Sequence, residues 1–310
     1  MSKGQQMSEF QGIFCALTTP FTADAESVDE AALRRLVDHM LANGVRGLIT
    51  TGSTGECASM TMQERHTVLE VVLEQVRGRV PVLAHTASVA TREVVALSRH
   101  AQQAGADGLM VVGPYYEPIN QDEIFAHYAT VAKSVDLPIM VYNNPAATGY
   151  SMNPEFIAQL TKSIDTIRLV KDTTGDVGRI HYLMELCGDD VSIFNGADTL
   201  AFAGFAAGTV GAVWGAANAT PRQCVDLFEA IVERNDLVRG RAIWRTLYMV
   251  NRFFEQEGYV ASVKAATNMQ GLAIGDPRPP ILPLPAHKAA ALGKLLEAAG
   301  LRGAVPAGTR

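Results

Sequence analysis

What most constrains this chain is a rhythm. Short apolar runs alternate with segments of helical period, eight times in succession. The first run, GIFCALTTPF, reads as a strand ending near Thr18. Ser27-Val28-Asp29-Glu30 spells an S-x-x-E capping box before a helix with Leu33, Leu36, Val37, Met40 and Leu41 on one face, closed by Gly44. GLITT is the second strand, and Thr61 to Glu64 forms another capping box whose helix stops at Gly78. VPVLAHT is followed by a helix from Thr91 to Ala104, GLMVVG by a helix capped by Asn120 and Glu123, and LPIMVYNN by a helix opening at Asn153-Pro154. IRLVK precedes a helix running to Cys187, VSIFNG a short one around Leu200 to Ala206, and TVGAVWG one capped by Thr220-Pro221.

Strict alternation of strand and helix argues for a parallel sheet covered by helices. Eight such units close naturally into a (β/α)8 TIM barrel, which typically needs about 250 residues. A doubly wound open sheet is the runner-up, but TTPFTAD follows the first strand where that fold carries a glycine-rich turn. The expected architecture is an α/β barrel over residues 1–235, containing the active site, with a C-terminal helical extension over 236–310. That extension is read from LVRGRAIWRTLYMVNRFFEQ, VASVKAATNMQG and HKAAALGKLLEAAG.

Composition removes whole classes of function. The 310 residues carry a net charge of −6 and no basic block, so nucleic acid is not an expected partner. The polar start, MSKGQQMSEF, has no apolar stretch of the kind a secretory leader needs. No run of about 18 apolar residues is present to span a membrane. Cys15, Cys57, Cys187 and Cys224 are dispersed, which suits reduced thiols in the cytoplasm. The seven histidines show no ligand spacing, so neither a metal nor another cofactor is expected.

In a barrel of this kind the chemistry sits at the C-terminal strand ends. There the sequence gathers Thr51, Ser53, Thr54 and Glu56 after strand two, Tyr115 and Tyr116 after strand four, Tyr142 at strand five, Lys171 at strand six and Asp198 after strand seven. Each has an ordinary explanation: GSTG as a turn, Tyr142 as a core-edge phenol, Glu56 and Asp172 as helix-start carboxylates, Lys171 as a lysine reaching for water. Lys171 resists its explanation best. Alternation puts Ile167, Leu169 and Lys171 on one face, and lysine is almost never buried without a reason. A lysine amine attacks a carbonyl only when neutral, and burial with nearby positive potential favours that form. The resulting Schiff base is an electron sink that lets a neighbouring C–C bond break or form.

GSTGE (52–56), YNNPAATG (142–149) and KDTTGD (171–176), in this order on strands two, five and six, resemble the dihydrodipicolinate synthase / N-acetylneuraminate lyase family of pyruvate-dependent class I aldolases. The resemblance covers nearly the whole chain, RPPILPL near the C-terminus included. It implies that Lys171 forms the imine with pyruvate or a 2-oxo acid and that Tyr142 shuttles protons. Ser53 and Thr54, in the turn opened by Gly52, would hold the carboxylate, and Tyr116 would extend the proton relay through Ser53 from a neighbouring subunit. Thr173, Gly196 and Asp198 would face the second substrate. A homo-oligomer, dimer or tetramer, is implied with it.

Three departures bear on the substrate. Ala147 stands where the synthases place an arginine for their aldehyde's carboxylate, which weakens a 4-hydroxy-tetrahydrodipicolinate synthase, acting on pyruvate and aspartate semialdehyde. Thr199 stands where the neuraminate lyases carry a carboxylate, and Trp214 is expected to shorten the pocket. The leading expectation is therefore a Schiff-base lyase or aldolase for a 2-keto-3-deoxy sugar acid type of substrate, breaking or forming a carbon–carbon bond or, as a dehydratase, breaking a carbon–oxygen bond. The alternatives are the synthase, a non-catalytic keto-acid sensor, and a phosphate-binding barrel enzyme using GTVGAVWGAAN, against which Asp198 would act by repulsion.

Overall fold

The computed structural model describes residues 10–301. All of the polar N-terminal stretch except Phe10 lies outside them. Eight parallel strands close into a barrel in sequence order. They are β1 (Gly12–Ala16), β2 (Gly47–Thr50), β3 (Val82–His85), β4 (Gly108–Val112), β5 (Ile139–Asn143), β6 (Ile167–Asp172), β7 (Ser192–Asn195) and β8 (Gly211–Trp214). A helix follows each: α1 (Glu30–Ala42), α2 (Met62–Val76), α3 (Thr91–Ala104), α4 (Gln121–Ala132), α5 (Pro154–Ser163), α6 (Val177–Cys187), α7 (Ala201–Ala207) and α8 (Pro221–Phe228). Then come α9 (Leu237–Gln256), α10 (Tyr259–Met269) and α11 (Ala286–Ala298). This is a TIM barrel with a C-terminal helical segment.

Period two divides the strand side chains between two apolar clusters. Phe14, Ile49, Leu83, Met110, Met140, Leu169, Phe194 and Val213 fill the barrel, whereas Ile13, Leu48, Val111, Val141 and Val170 pack under the helices. Phe14 meets Phe194 edge to face at 5.2 Å. Room for that pair is made by glycines on the flanking strands. A Cβ at Gly47 would lie 2.2 Å from the Phe14 ring, and one at Gly211 would lie 2.9 Å from Phe194 and closer still to the β1 backbone. The C-terminal helices have no core of their own: Leu247, Val250, Phe254, Val263 and Leu292 belong to the same cluster as the barrel's outer layer.

Local chemistry explains the helix starts. Thr61 and Asn120 form the expected capping boxes with Glu64 and Glu123, and Asn153 accepts from the Phe156 amide ahead of Pro154. The Ser27 box does not form. Ser27 is held in a loop with Thr22, beside a bridge between Phe21 and Val28, and Asp29 caps α1 by accepting from the Ala32 amide. Thr220 makes no side-chain cap either; its hydroxyl donates to Ala216 O.

Two further expectations are corrected. The β5–β6 register shifts between Ile139 and Met140, so that Ile139 pairs with Ile167 but Met140 with Leu169. The irregularity at Arg168 breaks the alternation. Ile167 therefore joins the outer cluster, and Leu169 alone of the two shares the inner face with Lys171. Trp214 also points outward, between Phe205 at 6.4 Å and Trp244 at 6.5 Å, while Val213 faces the interior. Its bulk fills the helix layer and does not shorten the pocket.

Because Phe14 is fully buried between strands that cannot close over a void, Phe14→Ala is expected to lower the unfolding free energy by about 3–5 kcal/mol, measured by denaturant titration.

Candidate active site

Register brings the two reactive side chains together. Tyr142 and Lys171 are direct partners across β5 and β6. Both point into the barrel mouth, at 4% and 6% exposure. Lys171 Nζ lies 3.9 Å from the centroid of the Tyr142 ring. Among the described residues Lys171 makes no ion pair. Tyr142 Oη accepts from Asn144 Nδ2 at 2.8 Å, which leaves the phenol's own proton free to move.

Asp172 explains the polar run after Lys171. Its carboxylate accepts from Asn143 Nδ2 at 2.9 Å, Arg179 Nε at 2.9 Å and Thr174 N at 3.0 Å, and from the Thr174 hydroxyl. Arg179 also donates to Met152 O, and Asn143 Oδ1 accepts from Met152 N. The carboxylate thus ties the end of β6 to the end of β5, one residue beyond the lysine–tyrosine pair. Glu56 stands at the N-cap of a short 3-10 turn over Cys57–Ser59, but its side chain makes no cap bond and is buried in an ion pair with Lys264.

A cavity of about 480 Å³ opens above Lys171. Its wall includes Tyr142, Ser53, Thr54, Thr173, Gly196 and Asp198, so six side chains or backbone positions singled out in the sequence meet at Lys171. Hollows of about 650 and 700 Å³ elsewhere, among residues such as Val82 and Asp107 or Gln11 and Arg46, gather no comparable reactive set. Gly52 is buried behind the wall, 3.5 Å short of Met110 Cε at its Cβ position. Tyr116 is 81% exposed and does not reach the cavity of its own chain.

Gly196 is required by the Thr173 hydroxyl, the Asp172 backbone and the lysine stem together. A Cβ there would fall 2.9 Å from Lys171 Cε and 2.2 Å from Thr173 Oγ1.

Asp198 is buried with its Oδ2 accepting from Tyr259 O–H at 2.6 Å and from Ala216 N at 3.3 Å. Burial lifts its pKa to about 7, the Tyr259 bond pulls it back, and the nearby Glu255 charge pushes it further up. The Ala216 amide, just past β8, is thereby engaged by a protein carboxylate. An anion bound there would have to displace that carboxylate, which counts against the phosphate-barrel alternative.

The sequence reading missed Asn144, Glu255, Tyr259 and Val260, all in the cavity wall. Asn144 stood inside YNNPAATG and could have been picked out as a partner for the phenol. The others come from the end of α9 and the start of α10, where no local pattern marks them. Glu255 accepts from Thr199 N at 3.0 Å and Thr199 Oγ1 at 2.7 Å, placing a second carboxylate beside Asp198. His85, below the rim, is neutral: burial takes its pKa down to about 3, and its Nδ1 bonds to Thr51 O at 2.9 Å.

The Dihydrodipicolinate synthetase family model matches residues 9–299. A 4-hydroxy-tetrahydrodipicolinate synthase of Pelobacter propionicus is 37% identical over 94% of this chain and 99% of its own length. One from Methanopyrus kandleri is 36% identical over 88% and 91%. Among solved structures, dihydrodipicolinate synthase from Aquifex aeolicus superposes with a TM-score of 0.90 at 32% identity, covering 94% of this chain and 99% of that one. A prophage protein of the dihydrodipicolinic acid synthase family from E. coli K12, in complex with pyruvate, gives 0.90 at 31%, with the same coverage.

Two outcomes follow from the geometry. Gly196→Ala should trap ketones at Lys171 roughly 100-fold more slowly, since the new Cβ would also fall 2.9 Å from Asp172 O, the strand end must shift, and a displacement of about 1 Å is enough; an unchanged trapping rate would contradict the packing. The pH-activity profile should carry a limb near 7 from Asp198. Tyr259→Phe removes a donor to the ionised form and should move that limb upward; Glu255→Gln removes a repelling charge and should move it downward.

Proposed function

The chain belongs to the dihydrodipicolinate synthetase family, whose members are pyruvate-dependent class I lyases working through a lysine Schiff base, and from that premise we propose that Lys171 forms the imine and Tyr142 moves the protons. The observation that carries this reading is the pairing of a buried amine with a buried phenol across two neighbouring strands, under a hydroxyl-bearing turn.

The steps are those an imine allows. The Lys171 amine adds to the keto carbon of pyruvate, and the carbinolamine loses water. The protonated imine accepts the electron pair left when a methyl proton departs, giving an enamine. The enamine carbon adds to an aldehyde carbon, whose oxygen takes a proton, and water returns to release product and lysine. Run backward, the sequence cleaves a 2-keto acid. Support for Tyr142 carrying the protons on and off is that Asn144 donates to its oxygen and leaves its proton unengaged. The presence of Ser53 and Thr54 in the cavity wall supports their holding the carboxylate.

For the second substrate, the names of the relatives favour 4-hydroxy-tetrahydrodipicolinate synthase over the sugar-acid lyase expected from the sequence. The acidic end of the cavity, Asp198 with Glu255, suits the ammonium group of aspartate semialdehyde. One observation keeps the sugar-acid reading as the second. Lys171 is the single cationic side chain among the described residues of the wall, and Thr173, Thr174, Thr199, Asn144 and the two carboxylates offer partners for hydroxyl groups.

We include in the proposal a cytoplasmic homo-oligomer, dimer or tetramer, in which Tyr116 serves a neighbouring subunit. Its 81% exposure on an isolated chain supports this.

Pyruvate with borohydride should label the protein irreversibly at Lys171, and Lys171→Ala should abolish the label, as read by peptide mass. Tyr142→Phe should lose about 100-fold or more in turnover with a much smaller loss of pyruvate binding. Aspartate semialdehyde with pyruvate, 2-keto-3-deoxy sugar acids and N-acetylneuraminate, assayed on one preparation, decide the acceptor. Labelling without turnover on any of them would point instead to a keto-acid sensor.

A further inference from the structure

The turn after β2 holds two residues other than glycine in left-handed backbone, Thr51 at φ 50° and Glu56 at φ 61°. Such residues persist only where the surroundings hold them. At Glu56 the holder is a buried ion pair: Lys264 Nζ of α10 lies 2.7 Å from Oε1, with both side chains 0% exposed. The same ammonium donates to Asp276 O at 2.9 Å and stands 4.5 Å over the Phe21 ring. The other carboxylate oxygen, Oε2, accepts from Arg278 N at 2.8 Å. Burial lowers the pKa of Lys264, and Glu56 opposes that.

The consequence lies three residues upstream. The Glu56 amide donates to Ser53 O at 3.1 Å, and the Cys57 amide donates to Gly52 O at 3.3 Å. A peptide unit is planar. Fixing Ser53 O therefore aims the Thr54 N–H, and fixing Gly52 O aims the Ser53 N–H. Among the described residues neither of these two amides donates to another group of the chain. Both belong to the cavity wall across from Tyr142.

We propose that Lys264 and Glu56 are positioning residues for the carboxylate of the keto acid: their buried ion pair holds the turn so that the Ser53 and Thr54 amides converge on it. The proposal rests on the Schiff-base reading above. It assigns the C-terminal extension a part in recognition of the first substrate, although no atom of Lys264 touches the cavity.

The test uses the full chain with two ketones, pyruvate and its uncharged methyl ester, each trapped with borohydride over a range of concentrations. The variants are Glu56→Gln and Lys264→Met, singly and together. The double variant removes both buried charges at similar volume, so that neither is left buried alone, and Glu56→Gln keeps an acceptor for Arg278 N. It should remain folded by circular dichroism and should need about tenfold more pyruvate for half-labelling, the equivalent of one misaligned hydrogen bond to a charged group. Its half-labelling by methyl pyruvate should change less than about twofold, and complete labelling should still be reached at saturation. Unchanged pyruvate dependence, or equal weakening toward both ketones, overturns the proposal. Lys264→Arg provides a second reading should the double variant not fold. It keeps the charge but presents a planar fork in place of a point, and must show the same selective loss toward pyruvate or the proposal fails. A wild-type protein labelled by neither ketone is a different result, and removes the Schiff-base reading beneath it.

Discussion

The site depends on the alternation of side chains along two adjacent barrel strands. Met140 and Tyr142 on β5, and Leu169 and Lys171 on β6, face inward because every second residue of a strand does so. The first member of each pair is core, and the second lines the cavity. The break at Arg168 matters for this reason. Without that irregularity Ile167 would share the inner face, and the lysine would have to reach the mouth with a different neighbour opposite. Asp172 then fixes the strand ends, so that a small change in strand separation cannot part the amine from the phenol.

Small residues do as much as reactive ones. Gly47 and Gly211 let Phe14 and Phe194 plug the barrel below the site. Gly196 leaves room for the lysine stem, and Gly215 leaves room for Tyr259, whose hydroxyl a Cβ there would meet at 2.2 Å. The lower glycines keep the floor solid, and the upper ones keep the reactive groups in place. A packed floor excludes water from below the amine, so the mouth is its one approach.

The fold was legible because its signal is repeated and local. Thr61 with Glu64, and Asn120 with Glu123, state their helix starts within four residues, and eight alternations leave few architectures to choose among. Ser27 misled because Asp29, two residues on, is an equally good cap, and the Phe21–Val28 bridge decided between them. Trp214 misled because a large residue beside a motif invites a pocket role, whereas period two had already sent it outward. Lys171, Tyr142 and the GSTGE turn were legible as strand-end residues. Glu255 and Tyr259 were not, since an exposed glutamate and a tyrosine on an amphipathic helix look like any others until the helix is docked. Glu56 is the intermediate case: its place in the turn was plain, but its buried partner lies on α10, and no spacing rule connects the two.

The two ends of the cavity differ in a way that bears on direction of attack. At the Ser53 and Thr54 end, backbone amides and hydroxyls present positive dipole to an anion. At the other end, two carboxylates crowd each other, and burial holds one of them near neutrality in its titration. Asp198 shares its charge with the Tyr259 hydroxyl and the Ala216 amide, and Glu255 shares its own with Thr199. A keto acid would therefore orient with its carboxylate toward the turn and its methyl group toward the acidic end. In the Schiff-base reading that is the side on which a carbon–carbon bond would form, and Asp198, with its pKa raised to about 7, is a group there able to exchange a proton near neutral pH. Pyruvate has one enolisable carbon, its methyl group, so chemistry fixes where a bond would form, and the polarity of the cavity bears only on which way that carbon would face.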